Sequence, residues 1–299
     1  MTVKRVGVVA LAALAIALGV GGGVATASTS AGFSVRAGDL VLSRAAGQYT
    51  GTMQVTVRNN SQNPVTDGII SVKVPAGLRF TGLTGGLGCV GVTDVSCGLD
   101  SFAAGERRTI ALSFGSYAGP ARFARVTERG TVTVTGGGST AASKYTGILK
   151  STSGSVRHPR PYRPSTDYDL VLRAGGEPVV TRDASGVSVR LPLVAKDRTD
   201  AFNDGASIGV AIDGSDSTII PSVDPSEPCT SLCPVPGVSW LASGESRSFA
   251  LLFTLPADTP AGTYVARVHG DMNAGMITPP ADLTPQNNTV AFTLTVPAA

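Results

Sequence analysis

Only two histidines occur in the 299 residues, and one of them stands where proton-transfer chemistry could be built. His269, in "ARVHGDM", lies beside Asp271 at the end of a predicted strand. A carboxylate that orients an imidazole is half of a nucleophilic device, and the other half is an activated hydroxyl or thiol. No G-x-S-x-G elbow and no S-x-x-K element supplies that hydroxyl, and D-[ST]-G, Walker, H-E-x-x-H and dinucleotide fingerprints are absent as well. His158 falls in a Pro/Arg-rich stretch where no cleft is expected. The inventory therefore predicts no catalytic, cofactor-binding or metal residue, with His269 a strand-end surface histidine.

Clustered carboxylates offer a second chemistry. Asp197, Asp200 and Asp204 in "AKDRTDAFNDGAS", and Asp213 and Asp216 in "DGSDS", are oxygen-rich turns of the kind Ca²⁺ uses, since it takes six to eight oxygen ligands. Neither stretch follows the EF-hand loop or a glycine-aspartate nonapeptide, so turn capping is the expectation for them and calcium the rival. A glycosidase built on two carboxylates would be expected to carry more aromatic platforms than the 5 % here.

The four cysteines form two close pairs, Cys89 with Cys97 and Cys229 with Cys233. Three disulfide pairings are formally open. The local one is expected because each pair precedes a copy of the same phrase at about the same distance, and an oxidising compartment makes bridging the default. Bridges over such short loops contribute roughly 2–3 kcal/mol each. A four-cysteine zinc site is disfavoured: the pairs lack C-x-x-C spacing, lie in different halves and have no histidine nearby.

The phrase in question reads "SFAAGERRTIALSF" at 101–114 and "SWLASGESRSFALLF" at 239–253. At an offset of 139, Gly105, Glu106, Arg108, Ala111, Leu112 and Phe114 match Gly244, Glu245, Arg247, Ala250, Leu251 and Phe253. Glycine permits a turn, and the alternation of Ile110, Leu112 and Phe114, or of Phe249, Leu251 and Phe253, then predicts a strand with one buried face. Such a strand needs a sheet around it, so a repeated phrase implies a repeated domain. Trp240, the only tryptophan, opens the second copy where Phe102 stands in the first, which predicts a core or disulfide-packing ring and not an exposed carbohydrate platform. Further alternating runs surround both copies: Met53, Val55 and Val57; Ile70, Val72 and Val74; Val132 and Val134; and, in the second half, "GVSVRLPLVA", "SIGVAI", "AGTYVARVHG" and "NNTVAFTLTV". Turn formers separate them and helical periodicity is almost absent, which predicts an all-β chain of two tandem β-sandwiches.

The order Val55-Thr56-Val57-Arg58-Asn59-Asn60, "VKVPAGLRF", Cys89, Cys97 and "GLDSFAAGE" resembles the bacterial surface repeat catalogued as domain of unknown function eleven, over about residues 50–115. The resemblance implies an immunoglobulin-like fold in secreted and cell-surface proteins, often in tandem, with the two cysteines bridged and no enzymatic activity. The family's N-x-G turn reads Asn60-Ser61-Gln62 here, and the second half lacks the L-P-x-G element before its cysteines.

Lys4 and Arg5, the apolar run Val6 to Val20 and the small-residue site Ala25-Thr26-Ala27 predict a signal peptide over 1–27, cut before Ser28. A retained anchor is the alternative; no cysteine follows the run for lipid attachment. The expected domains are then 28–149 and 167–299, joined by a Pro/Arg-rich linker at 150–166 held extended by Pro159, Pro161 and Pro164. Charge divides across it: 11 basic and 6 acidic residues over 28–149, 4 and none over 150–165, and 7 and 15 over 166–299. Arg157, Arg160 and Arg163 are read as a solvated spacer, with contact to an anionic wall polymer as the rival. With 19 arginines against 5 lysines the composition resembles that of a GC-rich bacterium. The chain is thus expected to be exported and extracellular or envelope-associated, a structural or adhesive module for protein or glycan, its binding segments the loops Thr84 to Asp100 and Ser222 to Ser239. A secreted hydrolase and a pure spacer are the alternatives, and nothing points to nucleic acid.

Overall fold

The structure of the protein is a computed structural model that describes residues 32–84, 88–213, 219–225, 229, 232–237, 240–273 and 281–298. The signal segment 1–27, Asp216 and parts of both cysteine loops lie outside the described residues. Those described are all-β, with one 3-10 turn at Pro285–Asn288.

The first unit comprises β1 (Phe33–Ala37), β2 (Leu40–Ala45), β3 (Gln48–Asn59), β4 (Ile69–Lys73), β5 (Leu78–Leu83), β6 (Cys89–Val90), β7 (Asp94–Gly98), β8 (Arg107–Ser116), β9 (Arg125–Gly136), β10 (Ser139–Leu149) and β11 (Arg160–Pro161). One layer runs β5-β8-β3-β1 and the other β2-β10-β9-β4-β7-β6. Strand β2 joins them, pairing parallel with Gly147–Leu149 through Leu40–Leu42 and antiparallel with Gln48–Thr50 through Ser43–Ala45. The second unit comprises β12 (Leu170–Ala174), β13 (Val179–Asp183), β14 (Gly186–Asp197), β15 (Ala206–Ile212), β16 (Ser222–Asp224), β17 (Cys233–Pro234), β18 (Ser246–Leu255), β19 (Gly262–Met272) and β20 (Thr289–Val296). Its layers run β12-β14-β18-β16 and β17-β15-β19-β20. Lettered along the chain, each unit sets A-B-E-D against C-F-G, the immunoglobulin order.

The alternation read from sequence selects the inward faces. Met53, Val55, Val57, Ile70, Val72, Val132 and Val134 are all buried, and the buried residues gather into two clusters, one drawn from 33–162 and one from 168–296. Both copies of the repeated phrase are the E strand of their unit, β8 and β18, at the centre of one layer.

The segment 150–166 departs from the extended, solvated spacer expected of it. Arg160–Pro161 pairs parallel with Arg125–Val126 as β11, the Tyr162 N–H donates to the Val126 carbonyl at 2.8 Å, and the Tyr162 ring is buried in the first cluster. Burying an aromatic ring outweighs the extended preference of the prolines, and Pro161, which has no N–H, loses nothing at a sheet edge. Arg157 and Arg163 remain exposed, while the Arg160 guanidinium lies 4.3 Å from the centre of the Phe123 ring. The chain leaves the first unit between Tyr162 and Tyr168, later than the sequence indicates.

Candidate functional site

His269 does meet a hydroxyl. On β19 it stands directly opposite Thr289 of β20, with Nδ1 3.1 Å from Thr289 Oγ1 and Nε2 3.2 Å from Asp271 Oδ2. The order carboxylate, imidazole, hydroxyl is that of a nucleophilic triad. All three residues are exposed, with the His269 and Asp271 side chains 53 % and 63 % accessible, so water competes for every bond. Cross-strand register alone brings them together, and the hydroxyl belongs to a β-branched residue on an open sheet face.

The disulfides are Cys89–Cys97 and Cys229–Cys233, the local pairing. Cys97 on β7 and Cys233 on β17 are buried, and in each unit that strand flanks the C strand, β4 or β15. An exposed apolar side chain sits next to each bridge: Val90 is 71 % and Leu232 51 % accessible. Val90 follows Cys89 on β6, one strand further out than β7, whereas Leu232 directly precedes Cys233 of β17.

The described aspartates of these turns, Asp197, Asp200, Asp204 and Asp213, are engaged by protein partners. Asp213 takes a bidentate contact from Arg267 at 3.0–3.1 Å, which raises the arginine's pKa. Asp200 Oδ1 accepts from the Ser165 N–H at 2.8 Å, and Asp204 lies 3.5 Å from Arg79 of the first unit. Asp197 is fully buried at the end of β14. Its Oδ1 accepts from the Thr199 N–H at 3.0 Å and the Thr199 hydroxyl at 3.3 Å, and its Oδ2 from Asn203 Nδ2 at 3.3 Å. Burial first, and the neighbouring Asp169 charge last, push this carboxyl up to about 7 against the hydrogen bonds that favour its ionised form. Asn59, at the end of β3, holds the matching place in the first unit and accepts from the Ser61 N–H at 2.9 Å and hydroxyl at 2.7 Å. One turn is thus built twice, on a neutral amide and on an acid.

Trp240 belongs to neither core cluster but to the junction between the units. Its ring centre lies 4.4 Å from the Arg79 guanidinium, and a Cβ on Gly115 would fall 2.8 Å from its Cζ2, so the ring rests directly on the backbone of β8. The equivalence with Phe102 is corrected here. Arg108 Nη2 donates to the Ser101 carbonyl, and its counterpart Arg247 donates to the Trp240 carbonyl; Trp240 therefore takes the place of Ser101, and buried Leu241 that of Phe102. Arg79 is 6 % accessible and also reaches the Asn203 carbonyl at 3.5 Å. Tyr117 packs on Phe202 at 5.6 Å, its carbonyl accepts from the Ser243 N–H at 2.7 Å, and burial raises its phenol pKa. Gln48 Nε2 donates to Glu245 Oε2 at 2.9 Å. Sequence reasoning missed Arg79, Tyr117 and Asn203. The available signal was Arg79 itself, a charge between Leu78 and Phe80 in a strand where all three prove buried.

No protein-family model matches the chain, and no curated protein matches it either. Among solved structures it is similar to red sea bream transglutaminase (12 % identity, 91 % of this chain and 32 % of that one, TM-score 0.24) and to a GH20 exo-β-N-acetylglucosaminidase from Vibrio harveyi (14 %, 51 % and 25 %, 0.25). A third is the E. coli chaperone DraB (14 %, 88 % and 98 %, 0.24). The chain spans about a third of the transglutaminase and a quarter of the glucosaminidase. At these identities and TM-scores the matches carry no weight for function, and the sandwich assignment rests on strand order and register.

Proposed function

We propose that the protein is an exported, non-enzymatic binding module of the bacterial envelope, which engages protein or glycan partners through its disulfide-bearing edges. The observation that carries this reading is that each unit exposes an apolar side chain next to a bridged cysteine: Val90 follows Cys89 on β6, the edge strand beside β7, and Leu232 directly precedes Cys233 of β17. Bridging rigidifies such a tip before it meets a partner and so lowers the ordering cost of binding. The two disulfides support a location outside the cytosol, together with the apolar run and A-x-A site at the N-terminus. The resemblance of residues 50–115 to the domain of unknown function eleven repeat supports the same assignment. The exposure of His269, Asp271 and Thr289 supports a role without turnover.

The test is co-sedimentation of residues 28–299 with isolated cell envelope. The parent chain should pellet, and Val90→Asp with Leu232→Asp should weaken pelleting at least tenfold with the melting temperature unchanged. Equal pelleting of parent and variant removes the edges from the reading, and a parent chain that stays in solution removes binding altogether.

A further inference from the structure

The outer face of the β1-β3-β8 layer carries three arginines and no acid to match them. Arg36, Arg58 and Arg107 are all exposed and, with Ser34, Val35 and Thr56, line a shallow groove of about 260 Å³. Arg58 and Arg107 stand directly opposite each other on β3 and β8, and Arg36 lies diagonally across β1, opposite Thr56. Among the described residues no ion pair or hydrogen bond engages any of the three guanidinium groups, although other arginines of the chain do find carboxylates. Like charges directly opposed on adjacent strands destabilise a sheet. The fold itself does not require them: at the equivalent register of the second unit, the opposed pair is Lys196 and Ser246. Arg58 with Arg107 is thus a departure, made in one copy only, that raises the energy of the free protein.

We infer that this face is a docking site for the phosphate groups of a flexible polyol-phosphate polymer. The inference deepens the envelope-binding reading, because it names a second surface and the chemistry that surface takes. Guanidinium forks match phosphate oxygens, and the Thr56 and Thr109 hydroxyls, 3.5 Å apart beside them, supply further donors. Neighbouring strands are about 4.8 Å apart and alternate residues about 6.7 Å, so the three charges form a row that one chain of phosphates can follow. The outward residues of these strands (Ser34 on β1; Thr52, Gln54 and Thr56 on β3; Thr109 and Ala111 on β8) include no aromatic plane on which a base or a sugar ring could stack. That composition favours a ring-free phosphate chain over nucleic acid and over an acidic polysaccharide.

Binding of residues 28–299 to poly(glycerol phosphate), measured against salt, tests the inference, with polygalacturonate and oligo-dT at equal charge as comparisons. Arg58→Gln with Arg107→Ser should weaken poly(glycerol phosphate) binding at least tenfold and lower the slope of log K against log salt by about 1.5, since each lost phosphate contact removes about 0.7–0.9. The same variant should melt higher than the parent at low salt, a gain that a purely structural role for the pair would not give. A double variant that binds as well as the parent overturns the inference, as does a parent chain that prefers polygalacturonate or oligo-dT or binds none of the three. Poly(glycerol phosphate) binding that is unchanged in this double variant, together with envelope pelleting that is lost in the Val90→Asp, Leu232→Asp variant, leaves the proposed function standing while the phosphate site fails.

Discussion

Asp197 is the residue whose chemistry sets it apart from its counterpart. Its carboxyl, pushed up to about 7 by burial, keeps a proton that the unfolded chain releases near 3.8. Stability from this site is therefore fully present below about pH 4 and falls as pH rises toward 7, by on the order of 4 kcal/mol at about 1.4 kcal/mol per pKa unit. Asp169, 8 % accessible, adds to the rise, while Arg198 lies 3.5 Å from Asp169. The Asn59 turn shows that an amide can fill the position. Asp197→Asn should remove the dependence: urea midpoints at pH 5 and pH 8 should coincide in the variant and differ clearly in the parent. Coincident midpoints in the parent would contradict the buried acid. The sequence presents this residue as one of three spaced aspartates, and only the packing of the turn beneath Leu241 separates it from Asp200 and Asp204.

The turn that leads into each E strand explains why the phrase recurs. Gly105 and Gly244 adopt φ of +71° and +77°, and Glu106 and Glu245 then reach back to accept the N–H of Ala103 at 2.7 Å and of Ala242 at 2.9 Å. Arg108 and Arg247 close the brace from the strand, at 2.7 and 2.8 Å from the glutamate oxygens, and Arg108 holds the Glu106 carboxyl below its usual range. Of the shared residues, the glycine, glutamate and arginine build this turn, and Leu112 and Phe114, with Leu251 and Phe253, lie on the inward strand face. The second brace is the more buried, with side chains 10 % and 15 % accessible against 31 % for both members of the first. Glu245→Ala should cost about 2 kcal/mol, since it strips the carboxylate partner from a largely desolvated guanidinium, and Glu106→Ala distinctly less; equal denaturant midpoints for the two would argue against burial as the cause. Strand alternation and the glycine turn were readable because they are local. The position of Trp240 was not, because an aromatic at the head of a strand looks alike whether it faces its own core or a neighbouring domain.

The two sandwiches meet over a surface that no local pattern announces. Arg79, Tyr117, Phe202, Asn203 and Trp240 come from four separate segments, and Tyr162 draws the connecting chain down onto the first unit. Length and charge division pointed to two domains, yet suggested a free spacer because proline and arginine dominate its composition. Gly115 is the sensitive point of the junction. Gly115→Val places new atoms against Trp240 and should separate the units: a red-shifted Trp240 emission and a larger radius of gyration in small-angle scattering are expected, with both disulfides intact. An unchanged emission maximum would show that the ring does not depend on this contact.

Docking of residues 160–162 on β9 also alters how the molecule meets proteases. The bonds after Arg160 and Arg163 both precede proline, which leaves Arg157-His158 as the open tryptic site among the three arginines. A cut there falls upstream of β11 and Tyr162, so the downstream fragment keeps its grip on the sheet it was severed from. Nicked molecules would remain paired halves, and the scission would show on a denaturing gel well before it showed in solution.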